Sequence, residues 1–155
     1  MNPLSLTYDI LELPFNKETV ESVRDNFGSD IGKASVYPVY ISLKTSYGWT
    51  GPQRMIYDTG AVISILPFSY YDILGLEKYA KARLTGVDPQ SHIYVRMVKV
   101  GFKFVDLQGK ASDEFQAWFG IAERDDVPRI IGLKDVNLTH KFSVDAKNGI
   151  FRLEF

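Results

Sequence analysis

Met55-Ile56-Tyr57-Asp58-Thr59-Gly60-Ala61-Val62-Ile63-Ser64-Ile65-Leu66-Pro67 sets one acidic residue and one glycine inside an otherwise largely apolar run. Arg54 to Tyr57 and Val62 to Leu66 carry apolar β character, and Asp58-Thr59-Gly60 between them reads as a tight turn. The stretch therefore predicts strand, turn, strand. A carboxylate is out of place there. Desolvating it alone costs several kcal/mol, so it must be paired, hydrogen-bonded or protonated, and each option moves its pKa. Acids perturbed in this way inside clefts are candidates for function. The plain alternative is an ordinary hairpin turn, in which Asp and Gly are common.

Outward from this stretch the pattern stays mostly β. Val39, Ile41 and Leu43 alternate with Tyr40, Ser42 and Lys44, the period of a half-buried strand, and Tyr47 to Pro52 reads as a turn. Phe68 to Leu74 predicts a short helix closed by Gly75. Ala82 to Leu84 and Ile93 to Val98 flank the turn-rich Thr85-Gly86-Val87-Asp88-Pro89 and predict a long hairpin. Val100 to Leu107, Phe115 to Ile121 and Arg129-Ile130-Ile131 are further strands, with one or two helical turns expected over Leu133 to Leu138. Phe142 to Val144 and Ile150 to Phe155 flank Asn148-Gly149, a pair suited to a tight hairpin turn. Ahead of all this, Asn16 is placed to cap a helix running to Phe27 and stopped by Gly28. The organisation expected is an N-terminal extension over residues 1–33 and one domain over 34–155.

Composition narrows the chemistry. With 18 basic and 19 acidic residues in 155, no charge excess is available to concentrate nucleic acid or anionic lipid. The absence of cysteine removes disulfides, thiolate metal sites and thiol nucleophiles. His92 and His140 are far apart and have no partner at metal-ligand spacing, so neither a metal nor a cofactor is expected. His92 reads as a solvated hairpin residue, His140 as surface, Asp125-Asp126 as an exposed loop, and Trp118 and Phe119 as core. No segment approaches a membrane-spanning apolar length, and a soluble, cytoplasmic protein is expected.

Asp58-Thr59-Gly60-Ala61, preceded by apolar residues and followed by Ser64-Ile65-Leu66-Pro67, resembles the active-site loop of retropepsin-like aspartic proteases. Two further landmarks fall in the family's order: a flap hairpin, matched by Arg83 to Arg96, and two apolar residues with a glycine before a short helix, matched by Ile130-Ile131-Gly132. The resemblance spans roughly Val36 to Phe155. It implies a β-barrel subunit with Asp58 as the catalytic carboxylate and Thr59 and Gly60 supporting its loop. Ala61, Gly86, Val87, Ile130 and Ile131 would line subsites for a peptide or protein substrate.

Metal-free peptide hydrolysis suits two carboxylates sharing one proton, one removing a proton from water and the other protonating the carbonyl oxygen. The tripeptide occurs once, so the second carboxylate must come from another subunit. A two-fold homodimer supplies it, because a residue near the axis meets its own copy. Departures from the family pattern are also present. An acidic residue after the tripeptide and an Arg after the late glycine, which pair in some relatives, are here Val62 and Leu133, and Pro89 stiffens the flap tip. The rival reading is the same fold used as a binding or dimerisation module with little proteolytic activity.

Overall fold

The computed structural model describes residues 4–75, 78–85 and 92–155. The chain starts with β1 (Ser5–Asp9) and β2 (Leu11–Pro14), then α1 (Lys17–Phe27) and β3 (Lys33–Val36). The Asn16 side chain caps α1 by accepting from Thr19 N–H at 2.8 Å, and Gly28 ends it in the left-handed conformation at φ 67°. Next come β4 (Pro38–Thr45), β5 (Gly48–Trp49), β6 (Gln53–Tyr57), β7 (Ser64–Leu66), α2 (Tyr70–Leu74), β8 (Ala80–Thr85) and β9 (His92–Val105). β10 (Phe115–Ala122), β11 (Ile130–Ile131), β12 (Lys141–Asp145) and β13 (Ile150–Glu154) complete the chain.

Six strands close into a barrel in the order β4-β6-β11-β7-β10-β9, because β9 also pairs with β4. β5 and β8 extend it at either end. Alternation places Val39, Ile41, Leu43, Met55, Phe102, Phe104, Phe119 and Ile121 inside with no more than trace exposure. Each such fully buried side chain contributes roughly 1.5–3 kcal/mol. The mostly β barrel expected from the sequence is therefore the architecture found.

Three local readings change. Within the stretch expected as an extension, β1 does not stand apart: it pairs with β13 in a separate sheet of order β1-β13-β12. Leu6 and Tyr8 on β1 enter the same core as Phe151 and Leu153, so the boundary at residue 33 divides side chains that pack together. The strands expected over 93–98 and 100–107 are one continuous β9, since Lys99 and Gly101 both fit an antiparallel ladder against Trp118 and Gln116. Trp118 is not core. It occupies an outward position of β10 and stays 38% exposed, whereas its neighbour Phe119 is fully buried.

Candidate active site

β6 carries the chain to Asp58 and β7 carries it away, but the two are not hydrogen-bonded to each other. β11 lies between them, parallel to β6 through Ile130↔Ile56 and Ile131↔Tyr57, and antiparallel to β7 at Ile130↔Ile65. A strand from late in the chain thus holds the loop open. Asp58 N–H donates to the Ile131 carbonyl at 2.9 Å, Leu133 N–H to the Ala61 carbonyl at 3.0 Å, and Lys134 N–H to the Val62 carbonyl at 2.8 Å. The loop's backbone is fixed from outside itself.

Within the loop, Gly60 N–H donates to Asp58 Oδ1 at 2.9 Å and Ala61 N–H to the Asp58 carbonyl at 3.1 Å. A Cβ at Gly60 would lie 3.3 Å from that same Oδ1. The glycine therefore lets an N–H reach the carboxylate without a side chain crowding it. Among the described residues only Oδ1 accepts such a bond, which leaves Oδ2 uncommitted. Asp58 is half-buried, while Thr59 and Gly60 are exposed.

Two supports escaped the sequence reading. Ser64, wholly buried in the apolar run, accepts Gly132 N–H on Oγ at 3.0 Å. A Cβ on Gly132 would lie 2.5 Å from the Ile63 carbonyl group, so this crossing of loops admits only glycine. The signal was present in both cases, as a lone hydroxyl among Ile and Leu and a glycine after Ile130-Ile131. The partnership between them was not, because they are 68 residues apart.

His140 is the second. Expected at the surface, it is half-buried against Phe104, Phe155 and Tyr57, and its Nε2 lies 2.8 Å from the Tyr57 hydroxyl. Thr139 Oγ1 donates its one proton to the Val136 carbonyl at 2.7 Å, so it must accept from His140 Nδ1–H, also at 2.7 Å. A neutral ring protonated on Nδ1 leaves Nε2 to accept the Tyr57 O–H. Burial pushes the His140 pKa down to about 4 and the Tyr57 hydroxyl up to about 12, which keeps both groups neutral through this chain of bonds. The residue immediately before Asp58 is thereby tied to the segment that leads into β12.

The other expected site residues divide. Ile130 is partly exposed, whereas Ile131 has no exposed surface and serves through its carbonyl. Gly86 and Val87 lie outside the described residues. The strands that flank them are described, β8 and β9 pairing antiparallel from Ala80↔Met97 to Thr85↔His92 as the stem of the expected hairpin. Its stem is anchored where the Arg96 guanidinium sits 5.3, 4.5 and 4.6 Å from the rings of Phe68, Tyr71 and Tyr79. Asp125 is exposed and accepts Ser69 N–H at 2.7 Å, a structural contact at the start of α2. Among the described residues no three His, Asp or Glu side chains gather as a metal site, and no helix is long and apolar enough to cross a membrane.

No protein-family model matches the chain, and no curated protein does. Solved structures do match. One is a retropepsin-like aspartic protease from Rickettsia conorii, with a TM-score of 0.53 over 100% of this chain and 95% of that one, at 13% sequence identity. The fold is retropepsin-like. At that identity the likeness concerns the path of the backbone. The chemistry has to be argued from the Asp58 loop itself.

Proposed function

We propose that this chain is one subunit of a homodimeric aspartic endopeptidase, in which Asp58 and its two-fold copy activate water against a peptide carbonyl. The observation that carries the reading is the setting of Asp58: a half-buried residue on a loop pinned by β11, with one carboxylate oxygen held by Gly60 N–H and the other without a partner among the described residues. The retropepsin-like fold supports it. Two such loops facing across an axis would bring the carboxyls to about 3 Å, where they cannot both ionise and so share one proton. The charged member takes a proton from water and the neutral member donates to the carbonyl oxygen, giving a bell-shaped dependence on pH.

The substrate fits as an extended strand beneath the β8–β9 hairpins, with main-chain hydrogen bonds giving affinity and alternate side chains entering apolar subsites. Ala61 and Ile130 are the described candidates for such subsites. The test is cleavage of a peptide library across roughly pH 3 to 8, comparing wild type with Asp58→Asn and adding pepstatin. Loss of cleavage in the variant and inhibition of the wild type are expected. Cleavage that survives Asp58→Asn would overturn the mechanism.

A further inference from the structure

One cavity lies away from the Asp58 loop. Its volume is about 350 Å³, at the lower end of the roughly 300–1,000 Å³ of small-molecule sites. None of residues 58–61 lines it. Arg54, which does, stands four residues before Asp58 on the strand that leads into the loop, roughly 13 Å away along an extended backbone.

The walls come from parts of the chain distant in sequence, and hydrogen bonds tie those parts together. The Tyr8 hydroxyl donates to the Val105 carbonyl at 2.7 Å and fastens β1 to the end of β9. Ile10 N–H donates to the Gly149 carbonyl at 2.8 Å and fastens the end of β1 to the turn before β13. Asp106 organises the turn that follows β9, where its Oδ1 accepts Gln108 N–H at 2.9 Å and Lys110 N–H at 2.8 Å. A cavity framed in this way is pre-formed, so a ligand entering it has little to order.

Charges of both signs face the cavity. Arg54 lines it together with Asp9 and Asp106, and among the described residues none of the three enters an ion pair. A simple anion would satisfy Arg54 but meet two carboxylates, and a simple cation would satisfy the carboxylates but meet a guanidinium. A molecule carrying both charges suits all three, because a guanidinium forks onto a carboxylate and carboxylates accept from an ammonium. Pro38, Leu107 and Ile150 add apolar wall. Leu107 is 70% exposed, apolar surface that an occupant would take out of water.

We propose that this cavity binds a small zwitterion with an apolar side chain, the chemistry of a free amino acid or dipeptide. Arg54 holds the carboxylate, Asp9 and Asp106 hold the ammonium, and Pro38, Leu107 and Ile150 cover the side chain. The site does not depend on the peptidase reading.

Amide NMR shifts of the full chain, followed against leucine and against leucyl-leucine, test it. At least one of the two should give saturable shifts centred on Thr7–Asp9, Arg54 and Asp106–Gln108, and the tighter one identifies the ligand length. Its N-acetylated form lacks the ammonium and its C-terminal amide lacks the carboxylate, and each should bind roughly tenfold more weakly. Arg54→Gln should erase the preference over the amide and keep that over the acetylated form. Asp9→Asn/Asp106→Asn should do the reverse, with an amide oxygen still present at residue 106 for the turn bonds. No saturation by either zwitterion up to roughly 10 mM, blocked forms that bind as well as the free ones, or shifts centred on the Asp58 loop would overturn the proposal. An Asp58→Asn chain should bind as the wild type does, so lost cleavage leaves this site standing and lost binding leaves the peptidase reading standing.

Discussion

Ser64, Gly132 and His140 show how single residues hold the Asp58 loop from outside it. Ser64→Ala would leave the buried Gly132 N–H without an acceptor, at a cost of roughly 1–3 kcal/mol. Gly132→Ala would drive a methyl into the Ile63 backbone and should cost at least about 2 kcal/mol. Urea denaturation of both variants checks the order, with Gly132→Ala the less stable. His140 makes a prediction about pH. Its folded pKa is lowered to about 4 from 6.5, so between those values the unfolded chain binds the proton that the folded chain refuses. Its contribution is fully present above pH 6.5 and is lost as pH falls towards 4, a change on the order of 2 kcal/mol once screening of a half-exposed ring is allowed for. Denaturant midpoints of wild type and His140→Gln, compared near pH 7 and pH 4.5, should show a steeper decline in wild type.

Elements with a strong local signal were legible, and those defined by distant partners were not. α1 was readable from Asn16 to Gly28 because cap and stop are local. The β12–β13 hairpin was readable because Asn148-Gly149 permits the turn, with Gly149 at φ 68°. β1 was missed: Leu6 and Tyr8 alternate over too few residues, and their meaning comes from pairing with a strand at the far end of the chain. At the candidate site, the turn at Asp58-Thr59-Gly60 was legible from its apolar surroundings. The insertion of β11 between β6 and β7 could not, since nothing in a two-residue strand encodes its neighbours. The hairpin stem yields a prediction of its own. Arg96→Ala removes the cation shared by Phe68, Tyr71 and Tyr79, an interaction worth about 1–2 kcal/mol. Amide exchange should then quicken along β8 and the His92–Arg96 end of β9, while β4 and β6 keep their protection.

For the whole molecule, the sharing of one core by both chain ends means that removing residues 1–10 is not the trimming of a tail. It uncovers Phe151 and Leu153 by taking away Leu6 and Tyr8, and thermal melting should show a loss of more than about 3 kcal/mol. If the carboxylate pair is intersubunit, specific activity should also fall on dilution, tracking the dimer fraction seen by light scattering, and mixing wild type with excess Asp58→Asn should suppress cleavage through mixed dimers. The placement of β11 has a temporal consequence. Asp58 is bound to Ile131, and Ala61 and Val62 to Leu133 and Lys134, so a ribosome that has released only the first 128 residues presents an acidic turn with no scaffold around it. Because chains emerge from the N-terminus onward and such distant pairings form slowly, the carboxylate acquires its geometry near the end of synthesis. A nascent chain of this kind carries no organised carboxylate loop while its neighbours are still unfolded.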